Sequence, residues 1–335
     1  MEKFDVIIVG AGPAGLKAAE ILAKNKKKVL VLEKNKKIGP KVCAGGITDK
    51  DLEYIPKTLV EKKFNSFCMT YCNNKTMIKY TSYTIDRERL GQYQLNEAKK
   101  AGAFVKTGCY VKQIKKNSIV ADKEYFYDFL IGADGSNSTV RQFLGLKSEI
   151  MGLTIQYQLK DNSKNLEFYY NPKRYGLWYA WVFPHKTHTS IGIGTLLQDK
   201  RTKNLRKILD DFANNNKFEL KDAKFEAALI NSSFNRFGFN NIFLAGDAAG
   251  LANPFTGEGI YQALVSGEEI AKKILNPGYE CRKLNRIIAK NRKLTKLLLA
   301  LHKMPMLAGF IYWAGFKLIK YKVVQKKLIS VFLEY

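Results

Sequence analysis

The sequence predicts an α/β fold in three parts: a Rossmann-like parallel-sheet domain split between residues 1–150 and 236–275, an antiparallel sheet inserted at 151–235, and a basic helical tail at 276–335. Three observations carry this reading. A glycine-rich turn joins an apolar run to a helical pattern at the start of the chain. Two later apolar runs end in small-residue turns near 130–136 and 241–249, and the stretch between them alternates apolar with polar residues.

The first element is the strand Asp5 to Val9, followed by Gly10, Gly12, Ala14 and Gly15 at the opening of a helix. The three glycines have separable roles: a tight strand-to-helix turn, close approach of backbone N–H groups to a pyrophosphate, and close packing of helix on strand. The positive end of the helix then supports the phosphates. Val29 to Leu32 reads as the second parallel strand, and Glu33 at its end can accept hydrogen bonds from both ribose hydroxyls, with Lys34 assigned to the same nucleotide. The nucleotide is adenine-containing, either FAD or NAD.

Later elements separate these two. Leu130 to Ser136 is a strand running into Asp134 and Gly135, and Asn241 to Ala249 is another ending in Gly246 and Asp247. This pairing resembles the flavoprotein hydroxylase-like superfamily, which combines the first glycine motif with a DG and a GD motif. The resemblance implies FAD, with Asp247 on the ribityl chain and Asp134 with Gly135 closing over the pyrophosphate. It also implies that Pro254 to Ile260 opens a helix toward the flavin ring, where N–H groups near Gly257 and Gly259 stabilise negative charge on the reduced ring. Arg87, in Asp86 to Leu90, matches the family's cofactor-contacting arginine.

The inserted region reads as antiparallel strands rich in aromatics: Thr154 to Leu159, Leu166 to Tyr170, Gly176 to Phe183 and Thr189 to Gly194. Within it, Tyr179, Trp181, Phe183 and Pro184, then seven residues, then Gly192 and Gly194, resemble the signature of the geranylgeranyl reductase family. Lys41, Cys43, Gly45 and Gly46 resemble that family's KxCxGG segment. The resemblance implies an FAD-dependent oxidoreductase that saturates C=C bonds of an isoprenoid lipid. The inserted sheet is then the substrate domain, with Tyr179, Trp181, Phe183, Pro184, Gly192 and Gly194 around a long apolar chain. Cys43 either donates a proton or shapes the pocket. A second dinucleotide cradle is not visible in the sequence, so the expected electron donor is a transiently bound NAD(P)H or an external redox protein. Two rivals share the FAD motifs: a monooxygenase of an aromatic or lipid substrate, and a non-catalytic membrane-associated flavoprotein.

The tail carries thirteen Lys and Arg between Cys281 and Tyr335 against the single acid Glu334. Leu284, Ile287, Ile288, Leu294, Leu297, Leu298 and Leu301 recur three and four apart until Pro305 interrupts them. Met304 to Phe316 is uncharged, yet shorter than the roughly 20 residues a membrane span needs. Two readings stand for this tail. One is a peripheral patch with Tyr312 and Trp313 at headgroup depth and lysines on anionic lipid; the other is a cap on the protein's own core.

Composition fits these elements. Lys and Arg number 56 against 30 Asp and Glu, a net charge of +26 that seeks polyanions. Nucleic-acid signatures are absent, so no nucleic-acid partner is expected, and an anionic membrane surface is. Five scattered cysteines predict no disulfide framework, no metal site and a cytoplasmic location, and the basic tail adds a peripheral place at the membrane surface as one reading. The N-terminal apolar run is needed as the first strand and is not read as a signal peptide.

Overall fold

The computed structural model describes residues 2–160 and 163–334. The first sheet runs in the order Gly238–Phe239, Ile242–Leu244, Glu124–Gly132, Glu2–Val9, Val29–Leu32, Phe104–Lys106. Its neighbours from Ile242 to Lys106 are parallel, and Gly238–Phe239 is an antiparallel edge. Parallel strands are covered on both faces, which explains why Ile7, Ile8, Leu130 and Ile131 are all fully buried. Helices Pro13–Lys24 and Ile260–Leu275 pack against one another here. Their approach needs Gly267, where a Cβ would stand 2.3 Å from the Ala14 carbonyl oxygen.

The second sheet is larger than the sequence reading confined to 151–235. Three of its eight strands, Gly46–Thr48, Val60–Tyr71 and Asn74–Ile85, come from the N-terminal region. The chain leaves the nucleotide sheet after Leu32, builds the long hairpin Val60–Ile85, and returns through the helix Arg87–Lys100. Exposed Lys63, Lys75 and Lys79 alternate with buried Phe64, Phe67 and Ile78, so only one face of the hairpin is apolar. The other five strands follow the order Lys224–Asn231, Met151–Leu159, Thr189–Leu196, Ala180–Pro184, Glu167–Tyr170. All pairs are antiparallel except that Glu167–Tyr170 joins the hairpin in parallel. Helix Leu205–Asn215 seals one face, packing Leu205, Leu209 and Phe212 on Tyr157, Val182 and Ile191.

Three helices form the tail: Arg282–Lys303, Pro305–Leu318 and Lys322–Phe332. The first two meet at 117°, where the ring of Pro305 starts a new helix. Leu284, Ile287, Ile288, Leu294, Leu298 and Leu301 are buried as their spacing predicts, whereas Leu297 points outward. No single described helix is long and apolar enough to cross a membrane.

Candidate active site

The glycine turn is built for a nucleotide. Gly10 has φ +99°, and a Cβ there would lie 2.4 Å from the Ala133 carbonyl oxygen; one at Gly15 would lie 2.0 Å from the Gly10 oxygen. Gly12 differs, because its only neighbour within 4 Å is that same Ala133 oxygen at 3.9 Å, and its free side lines the cavity with Ala14. The helix that follows has no side-chain N-cap, so its first N–H groups remain for a ligand. Glu33 ties the turn to the second strand, accepting from the Ala11 N–H at 2.8 Å and the Asn35 N–H at 2.8 Å. Lys34 is exposed and does not line the cavity.

Across the cavity, the Asp247 carboxylate accepts from the Ser136 hydroxyl at 3.1 Å and faces the Lys41 ammonium at 3.4 Å. Arg87 lines the same cavity with its Nε buried and unpartnered in the protein. A buried, unpaired guanidinium N–H on a residue of the cavity wall fits an anionic or oxygen-rich group. These residues fit FAD. Asp134 plays a less direct part than its motif implies. Its carboxylate accepts from the Ser138 hydroxyl and from the Thr139 N–H at 2.6 Å, holding the loop, while Gly135 at φ +80° reaches the cavity. Burial raises the Asp134 carboxyl above its usual range.

The flavin-facing turn also departs from expectation. The Gly257 N–H is given to the Asn253 carbonyl at 3.0 Å and the Glu258 N–H to the Thr256 hydroxyl at 3.3 Å. The positive end is therefore the first turn beginning at Gly259 and Ile260, both on the cavity wall. Gly257 contributes backbone shape, with φ +66°.

From this cradle a single cavity of about 440 Å³ continues between the second sheet and the tail. Cys43 stands half-buried on its wall, its Sγ accepting from the Gly45 N–H at 3.3 Å. Tyr179, Trp181 and Phe183 line it as the motif implies. The Tyr179 hydroxyl donates to the Thr256 carbonyl at 2.5 Å, and the Trp181 indole N–H donates to Ser190 at 3.1 Å, which fixes both rings. Pro184 and Gly192 do not line it; Pro184 receives the Thr84 hydroxyl at 2.9 Å, and Gly192 makes room for the Trp181 ring. Gly194 is on the wall, and a Cβ there would meet the Trp178 ring at 2.4 Å.

Sequence reading missed several wall residues. Trp178 donates its indole N–H to the Pro254 carbonyl at 2.9 Å, and Gln156 is buried between Glu226 and Ser190. Tail residues Tyr312, Phe316, Ile329 and Phe332 close the cavity. Tyr312 thus turns inward, its hydroxyl on the Leu177 carbonyl, as the reading of the tail as a cap on the core has it. Desolvation raises the phenols of Tyr170, Tyr179 and Tyr312 well above the usual tyrosine range, so all three stay neutral.

Comparison with known proteins agrees with this geometry. Residues 84–277 match the FAD binding domain family model, and residues 1–63 match that of the Thi4 family. An uncharacterised protein of Methanosarcina barkeri is 32% identical over 299 residues, covering 82% of this chain and 75% of that protein. Digeranylgeranylglycerophospholipid reductase 3 of Methanosphaera stadtmanae is 29% identical over 327 residues, covering 85% and 81%. The fold is shared with a geranylgeranyl bacteriochlorophyll reductase-like protein of Thermoplasma acidophilum, with TM-score 0.83 at 23% identity over 99% of this chain and 97% of that one. With the model spanning more than half of the chain, and with Gly12, Arg87 and Asp247 gathered on one cavity that suits its cofactor, the chain belongs to the FAD binding domain family and is an FAD-dependent oxidoreductase.

Proposed function

We propose that the protein saturates C=C bonds in the chain of an isoprenoid lipid. The observation that carries this reading is the continuity of one aromatic and aliphatic wall from the flavin cradle, past Cys43 and Tyr179, to the tail helices. Such a wall accepts a long apolar chain and offers a small polar substrate little to bind. The digeranylgeranylglycerophospholipid reductase relatives support the same substrate class.

When bound, reduced FAD supplies the hydride. An isolated alkene is a poor hydride acceptor, so a proton must reach the other carbon in a site kept dry. Trp181, Phe183 and Phe316 exclude water there, while the hydroxyls of Tyr179 and Tyr312 are held on the backbone carbonyls of Thr256 and Leu177. Cys43 is the cavity-facing thiol and the proposed proton donor. Cys43→Ala should keep FAD and lower the extent of reduction; an unchanged product distribution would assign the thiol to packing.

The outer side of the tail supports a peripheral location at the cytoplasmic face of an anionic membrane. Met306, Phe310 and Trp313 are 91%, 61% and 48% exposed on the helix whose inner side holds Tyr312 and Phe316. Electrons would come from NAD(P)H or an external redox protein. The deciding experiment is anaerobic: reduce the yellow protein chemically, add geranylgeranyl-bearing lipid, follow the flavin spectrum, and weigh the lipid. Reoxidation of the flavin with hydrogens gained in pairs establishes the reductase. Reoxidation only on admitting air rejects it in favour of a monooxygenase or a different acceptor.

A further inference from the structure

The segment Lys41 to Gly45 has no regular secondary structure, yet it must hold Cys43 still on the cavity wall. Its three successive carbonyls each meet a donor. The Cys43 oxygen faces the Gln156 amide at 3.5 Å, the Ala44 oxygen faces His185 Nε2 at 2.9 Å, and the Gly45 oxygen receives the Ile85 N–H at 2.9 Å. The middle contact is the unusual one. His185 Nδ1 lies 2.6 Å from Glu61 Oε2, and the two side chains are only 3% and 7% exposed.

Because Nε2 faces a carbonyl, it must donate. A second proton is then held between Nδ1 and the Glu61 carboxylate, which fixes the ring in one orientation. Shape enforces the same placement: a Cβ at Gly45 would meet His185 Cε1 at 2.6 Å, so the ring packs directly on the loop's glycine. On its other side the ring stacks on His188, with centroids 4.4 Å apart and planes within 5°. Burial, and secondarily the His185 charge, lowers the His188 imidazole, so the stacking partner is not a competing cation.

We propose that the Glu61–His185 pair is the positioning device of the Cys43 loop: it holds the thiol and the glycines at a fixed distance from the flavin and the alkene without touching either. The proposal rests on the reductase reading only for its turnover measurement. Glu61→Ala removes the partner of Nδ1. Glu61→Gln restores a donor to the neutral ring and should preserve the Ala44 anchor.

The test uses the FAD-loaded full chain and variants Glu61→Ala, Glu61→Gln and His185→Ala. Iodoacetamide labelling of Cys43, read by peptide mass spectrometry, is compared with the flavin absorption spectrum, kcat and KM. Loss of the clamp should speed labelling roughly tenfold, the factor expected for freeing one ordered contact. It should shift the flavin bands and lower kcat with KM little changed, while Glu61→Gln stays near the parent. Parent-like Cys43 labelling in FAD-loaded Glu61→Ala overturns the proposal even if His185→Ala fails to fold. A labelling shift in a protein that reduces no prenyl lipid upholds the clamp and rejects the reductase reading.

Discussion

The indole of Trp181 lies so close over Gly192 that a Cβ there would stand 2.1 Å from ring carbon Cζ2. The two residues are cross-strand partners, and the ring edge is pinned by its bond to Ser190. The glycine of the motif is thus a seat for the tryptophan and not a ligand contact. Gly192→Ala should push the ring into the cavity, at a cost of about 1–3 kcal/mol in stability. FAD content should hold while KM for prenyl lipid rises, measured by thermal unfolding and anaerobic kinetics. An unaltered KM with intact folding would separate Trp181 from substrate binding.

Arg87 tests the cofactor site. Its buried Nε has no partner in the protein, so a bound FAD would satisfy it with a charge-assisted hydrogen bond. Arg87→Met keeps most of the packing and should weaken FAD binding by about 1.5–3 kcal/mol, roughly ten- to a hundredfold. The variant should purify with substoichiometric flavin and regain it at high added FAD, as read by absorbance and titration calorimetry. Full flavin content after dialysis would place the arginine outside the cofactor's reach.

The contrast between these residues shows what the sequence could reveal. Gly10 to Glu33 form one local strand–turn–helix–strand unit, so spacing alone exposes their chemistry. The wall motif Tyr179 to Phe183 was legible only through its resemblance to a family signature, because strand alternation alone puts Trp181 and Phe183 on one face without saying what that face meets. Glu61 and His185 are 124 residues apart, and each reads as an ordinary polar residue of a strand region. Their meeting depends on Val60–Tyr71 and Asn74–Ile85 joining the second sheet, a long-range pairing that no local periodicity announces. The place of Tyr312 stayed open between two readings because an amphipathic tail looks alike whether its apolar face meets lipid or protein. In the structure Tyr312 faces the cavity and Trp313 is exposed on the outer side of the same helix.

That division gives a separable prediction for the tail. Phe310 and Trp313 are exposed and pack on each other with ring centroids 5.7 Å apart. Replacing both by Ala should remove roughly 3 kcal/mol of apolar partitioning. Co-sedimentation with anionic liposomes should fall by about two orders of magnitude, while turnover of a short detergent-soluble prenyl substrate stays near the parent. Tyr312→Ala should do the reverse, sparing liposome binding and impairing turnover. Equal sedimentation of the double variant and the parent would reject the membrane reading.

Asp51 makes the stability depend on pH in a direction set by its burial. Its Oδ2 accepts from the Thr48 N–H at 2.9 Å and the Thr48 hydroxyl at 3.2 Å, while Oδ1 is buried without a partner. Burial, reinforced by the nearby Glu258 charge, raises its carboxyl to about 7 from the ordinary 3.8. Between those values the folded chain binds a proton that the unfolded chain has released, so stability falls as pH rises. The contribution is complete below the unfolded value and lost as pH passes through 7, with a slope approaching 1.4 kcal/mol per pH unit at most. Asp51→Asn imitates the protonated form and still accepts from Thr48. Urea unfolding of the FAD-saturated proteins at pH 5, 6, 7 and 8 should show the variant losing less stability than the parent over that interval, with the gap widest at pH 8. Parallel profiles would mean that Asp51 is ionised throughout and that the charge of Lys50, bonded to Glu258 at 2.9 Å, compensates both carboxylates beside the flavin-facing turn.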